Sequence, residues 1–125
     1  MVRTLAAFIV LMLPLPAAAA PCVVEIGQRV RLAANSSDPN VFVWDSRDDL
    51  IAYAAGRYGS VDTVVRHAAL VPPGTRAIVA MCRAGAVKRR YVDQSFDAVG
   101  IKLTAGPLRN RYGWVASDDA HPAKN

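Results

Sequence analysis

Residues 106–115 read GPLRNRYGWV, and they follow residues 98–105, AVGIKLTA. In the leading segment Val99, Ile101 and Leu103 fall on one face of an extended chain, and Gly100, Lys102 and Thr104 on the other. Pro107 suits the first corner of a turn, Gly106 permits close approach of backbone, and Asn110 is the non-glycine residue best suited to a left-handed conformation. Gly113 then starts a return strand that puts Trp114 and Val115 on opposite faces. Two extended segments joined by one such connection predict a β-hairpin near the end of the chain.

The segments upstream fit a mainly β fold. Residues 22–33, CVVEIGQRVRLA, alternate apolar and polar positions with a break at Gly27, which reads as a bulged strand or as two strands of a ribbon. Residues 35–40, NSSDPN, are a loop by composition, and 41–44, VFVW, a second strand. Ser46 then caps a short helix with Asp48 and Asp49 in its first turn and Gly56 past its end. Its apolar residues, Leu50, Ile51, Tyr53 and Ala54, can lie over an open barrel end. Residues 61–71 have helical apolar spacing, so a second short helix is expected there. After the turn at Pro72-Pro73-Gly74, residues 76–82, RAIVAMC, read as a buried strand, Gly85 as a turn, and 87–92 as a basic strand at an edge.

The first residues have a secretory layout: Arg3, an apolar run from Leu5 to Leu15, and the small residues Ala17 to Ala20. That run is shorter than the roughly 20 residues a membrane-spanning helix needs. A signal peptide over residues 1–19 is therefore expected, with no transmembrane segment after its removal. Pro21 disfavours both a cut directly before it and a lipidated Cys22. The expected domains are then 1–19 signal, 20–117 a single β domain, and 118–125 a flexible tail. The localisation that follows is periplasmic or secreted. In an oxidising compartment Cys22 and Cys82 are expected to form a disulfide. Closing a loop of about 61 residues contributes on the order of 4 kcal/mol by the chain-entropy model.

Charge is uneven. The net charge of +5 falls to +4 without Arg3. Arg83, Lys88, Arg89, Arg90, Lys102, Arg109 and Arg111 face only Asp93 and Asp97 in their stretch, whereas aspartates dominate residues 38–62. The basic stretch favours acidic partners such as envelope proteins, wall polymers or lipid head groups, or else forms a solvated face with counter-charges nearby.

The stretch from Ala98 to Val115 resembles the closing hairpin of bacterial SH3-like barrels, in which an alternating strand runs into Gly-Pro, a basic turn and a terminal Gly-Trp-Val strand. The resemblance implies a small SH3-like barrel with one or two short helices inserted, and an interaction with the cell envelope. It implies no proline-rich groove, because the acidic aromatic motif and paired tryptophans of peptide-binding SH3 domains are missing. The related KOW module expects glycine where this chain has Asn110 and a small residue where it has Trp114.

No catalytic constellation is legible, and an enzyme is not expected. His121 falls in the expected tail, and His67 with Ser60 and Asp62 lacks the surroundings of a nucleophile elbow. No metal-ligand spacing or phosphate-binding loop is present, so no cofactor or metal is expected. Export argues against nucleic acid. Arg109, Arg111, Tyr112 and Trp114 are the candidate binding residues, since an aromatic pair on one strand face beside guanidinium groups offers stacking and charge-assisted hydrogen bonds. The expected partner is an envelope protein or cell-wall polymer. The alternative is a structural or inhibitory subunit that pairs through the basic strand at Lys88, Arg89 and Arg90.

Overall fold

The computed structural model describes residues 21–123. The signal peptide expected over residues 1–19 lies outside the described residues, as do residues 124 and 125. The described chain is mainly β. Its strands are β1 (Arg29–Leu32), β2 (Val41–Trp44), β3 (Ala68–Val71), β4 (Thr75–Lys88), β5 (Ser95–Leu103), β6 (Tyr112–Ala116) and β7 (Ala120–Pro122). Helices α1 (Arg47–Ala54) and α2 (Val61–His67) are inserted between β2 and β3, and a 3-10 turn (Ser117–Asp119) precedes β7. All strand pairs are antiparallel, in the order β3-β2-β6-β5-β4-β1-β7.

Strands β3 and β7 stand at opposite ends of that order. Even so, Val71 and Ala120 belong to one buried cluster with Val30, Leu32, Ile101 and Val115. The sheet therefore curls like a barrel wall around a shared interior. Alternation along the strands builds a second face. There Trp44, Ala98 and Ala116 pack under Leu50 and Ala54 of α1 and Val64 of α2. Each large apolar side chain buried this way contributes about 1.5–3 kcal/mol. Helix α1 covers this outer face across β4, β5, β6 and β2, and its cap forms as its residues dictate. Ser46 is extended (φ −137°, ψ 152°), and its Oγ accepts the Asp49 N–H at 3.1 Å. Past the end of the helix Gly56 is left-handed, and the Arg90 N–H donates to the Ala54 carbonyl at 2.9 Å.

The hairpin forms where the opening stretch places it. Residues Ala98 to Lys102 of β5 pair with Ala116 to Tyr112 of β6. Asn110 takes the left-handed conformation (φ 73°), and its N–H donates to the Leu103 carbonyl at 2.8 Å. Gly113 serves a different need: a Cβ there would collide with the Val43 side chain and sit 3.0 Å from the Trp44 carbonyl oxygen. Its lack of a side chain lets β6 cross against β2, with which it pairs through Trp44 and Trp114.

Several expectations are corrected. The strand expected at 76–82 runs on to Lys88 as one strand, β4, whose register shifts between Arg83 and Val87. The strand expected at 87–92 is not formed beyond Lys88, since residues 89–92 turn the chain with Tyr91 left-handed (φ 67°). Gly85 (φ 63°) is a bulge in β4 and not a turn, because a left-handed glycine serves either purpose. The buried Asp97 holds this bulge: its carboxylate accepts the Gly85 N–H at 2.9 Å and the Val23 N–H at 2.8 Å. The second helix stops at His67, and residues 68–71 become β3 because they pair with β2, from Trp44 with Ala68 to Val41 with Val71. Within 22–33 only Arg29–Leu32 is strand, since a left-handed Gly27 turns the chain before it. Of the flexible tail expected over 118–125, the described part belongs to the 3-10 turn and β7, which pairs with β1 from Leu32–Ala120 to Val30–Pro122. Pro122 is tolerated there because β7 lies at the sheet edge.

Cys22 and Cys82 are joined by a disulfide that ties the segment before β1 to the middle of β4. Among the described residues no helix is long and apolar enough to cross a membrane.

Candidate functional site

Antiparallel pairing of β2 with β3 brings Asp45 and His67 together, one step beyond the Trp44–Ala68 pair. The Asp45 N–H donates to the His67 carbonyl at 2.8 Å, and the two side chains meet with His67 Nδ1 3.0 Å from Asp45 Oδ2. Across from them the hairpin connection delivers Leu108, Arg111 and Tyr112. Together with Val43 and Arg66 these residues wall a hollow of about 330 Å³. Beside the exposed Asp45, two cations stand at the hollow: Arg66 and Arg111 are exposed, and neither has a carboxylate partner within ion-pair distance among the described residues.

The four candidate binding residues thus divide. Arg111 and Tyr112 line the hollow, and Lys102 Nζ lies 5.8 Å from the centre of the Tyr112 ring. Trp114 shares the face of Tyr112, as strand alternation requires, and the two residues border a smaller crevice of about 80 Å³ with Met81 and Gly100. The indole lies over Gly100, where a Cβ would come within 3.3 Å of the ring, and packs half-buried against the outer core. Arg109 sits exposed in the turn and lines neither space.

Other residues prove to be occupied. Arg89 is not a free cation of an edge strand: its Nε and Nη2 donate to the two carboxylate oxygens of Asp118 at 2.9 and 2.8 Å, and Nη2 also reaches Asp119 at 3.2 Å. Burial lowers the Arg89 pKa, but hydrogen bonds and charge from Asp118 and Asp119 more than offset it, so the net shift is upward. Asp119 is also shifted upward, first by burial and then by the charge of Asp118, against the attraction of Arg89. The directions conflict for a simple ion pair. The bidentate geometry with Asp118 identifies that carboxylate as the main partner, leaving Asp119 crowded beside it. Tyr53, Tyr58 and Phe42 surround the buried Trp44, with ring centroids 4.9, 5.0 and 6.0 Å from it, so this group is packing.

A second hollow, of about 450 Å³, opens between the 34–40 loop and α1, walled by Phe42, Tyr53 and the Arg89–Asp118–Asp119 group. Sequence reading missed it, and it missed Asp45 and Arg66 as neighbours of the hairpin. The grouping of His67 with Ser60 and Asp62, set aside from the sequence, does not form: Ser60 faces Thr63 and the imidazole turns to Asp45. The one available signal was the short apolar run at 68–71, AALV, which as a strand would have set Asp45 opposite His67.

Compared with family models, with curated proteins and with solved structures, the chain matches none.

Proposed function

We propose that this chain is an exported binding module of the cell envelope, an SH3-like barrel by the resemblance of its closing hairpin. In this reading it holds an acidic group of an envelope protein or wall polymer in the hollow beside that hairpin. One observation carries the reading: Arg66 and Arg111, drawn from distant parts of the chain, line a single hollow with Tyr112, and neither is in an ion pair among the described residues, while the Asp45 carboxylate in the same hollow is turned to His67. Guanidinium groups there can form charge-assisted hydrogen bonds to a carboxylate or phosphate, while the phenol ring supplies contact area. The disulfide fits a location outside the cytoplasm.

The test uses the disulfide-bonded protein with envelope extract in one arm and sedimented cell-wall sacculi in the other. Retention in either arm, lost in an Arg111→Ala, Tyr112→Ala variant of unchanged circular dichroism, is the expected result. Equal recovery of wild type and variant in both arms rejects the site. A second reading, a structural or inhibitory subunit that adds a partner strand, draws on the pairing of β4: β1 accompanies it only from Thr75 to Ile78, so the stretch to Lys88 has a strand neighbour on the β5 side alone. Charge reversal at Lys88 and Arg90 should then abolish co-purification. Arg89 is left unchanged because it serves the internal ion pair.

A further inference from the structure

We infer that Asp45, Asp49 and His67 form a binding site for a divalent first-row transition-metal ion, for which Zn²⁺ is the natural probe. One carboxylate oxygen from each aspartate and Nδ1 of the histidine all lie within 4.8 Å of one another. His67 Nδ1 is 3.0 Å from Asp45 Oδ2 and 3.9 Å from Asp49 Oδ2. Zinc binds carboxylate oxygen and imidazole nitrogen at about 2.0–2.2 Å, so tetrahedral ligands stand about 3.3 Å apart. The three atoms need only small side-chain rotations to meet one ion.

The ligands are held by regular structure. Asp45 directly follows β2 and His67 ends α2, and the backbone bond from Asp45 N–H to the His67 carbonyl fixes their spacing. Asp49 lies in the first turn of α1, where Ser46 Oγ both accepts its N–H and donates to its Oδ2 at 2.7 Å. Such a partner outside the ligand set orients a coordinating carboxylate. On the other side of the cluster the enclosed Tyr58 hydroxyl stands beside the Asp49 carboxylate, to which its O–H can turn.

Two carboxylates with one imidazole suit zinc and its first-row neighbours, and copper binds most tightly in the usual order of affinities. His67 and Asp45 are partly exposed, so the remaining coordination positions open to solvent, as in an accessible site and unlike a closed structural one. The other grouping of metal-ligating side chains, Cys22, Cys82 and Asp97, is spent, since its sulfurs are bonded to each other. The metal site borders the binding hollow but does not depend on Arg111 or Tyr112.

The test titrates Zn²⁺ into the disulfide-bonded protein, without a histidine tag, in competition with a chromogenic chelator. One equivalent should bind, and affinity should fall about tenfold or more in Asp45→Asn and in His67→Gln. It should be unchanged in His121→Gln, whose ring nitrogen already bonds the Ala33 carbonyl at 2.9 Å. Binding should also survive in Arg111→Ala, Tyr112→Ala, which separates this inference from the proposed function. In the wild type, Co²⁺ should selectively perturb the imidazole resonances of His67 and not those of His121, a readout that needs no variant. Absence of saturable binding overturns the inference, as does binding that survives both ligand substitutions.

Discussion

Gly113 leaves no room for a methyl group, because Val43 and the Trp44 carbonyl occupy the space a Cβ would need. Gly113→Ala should therefore destabilise the fold by about 1–3 kcal/mol through overpacking, seen as a lower midpoint in urea with an unchanged slope. The same substitution at Gly27, where nothing lies within 4 Å, meets only backbone strain from φ 87°. Residue chemistry of this local kind was legible in the sequence. Asn110 was expected to be left-handed and is, and Ser46 was expected to cap a helix and does. Gly85 was misread because a bulge and a turn ask the same conformation of glycine, and the residue that decides between them, Asp97, lies on the neighbouring strand.

At the scale of elements, the cap of α1 links structure to titration. Ser46 Oγ donates to the Asp49 carboxylate, and this hydrogen bond, offset in part by desolvation and aided by Asp45 and the charge of His67, holds its pKa below the ordinary value of 3.8. A carboxyl depressed in the folded state contributes stability above its unfolded pKa, and loses that contribution as pH falls through the folded pKa. Ser46→Ala should raise the Asp49 pKa toward its ordinary value, read from the carboxyl carbon shift in chelator-treated protein. It should also cost about 1 kcal/mol from the lost cap. An unmoved Asp49 titration would contradict this assignment. Elements whose signal is local periodicity were readable, such as α1 and the hairpin. Strands β3 and β7 were not, because four apolar residues fit a helix or a strand equally well, and a polar segment ending in proline becomes a strand only when β1 pairs with it.

At the scale of the molecule, curling of the sheet gathers what the sequence keeps apart. Arg66 and His67 come from the inserted helix, Asp45 from just past β2, and Arg111 and Tyr112 from the last hairpin. Half of the candidate site was legible, since the hairpin residues announce themselves by composition. The other half was hidden because it depends on the β2–β3 pairing and on how β2 meets β6. Trp114, singled out with Tyr112, also shows why residue type alone misleads: an indole beside a strand glycine is a packing solution as readily as a binding surface. The central claim is that the hollow between Arg66, Arg111 and Tyr112 receives an acidic envelope component. Its most direct measurement is photo-crosslinking in the producing cells, with a photoreactive phenylalanine analogue in place of Tyr112 and another in place of the exposed Val61. An adduct with an envelope component that forms from position 112, exceeds the position-61 control and disappears with Arg111→Glu is predicted. No adduct above that control, or one indifferent to Arg111→Glu, would contradict the account.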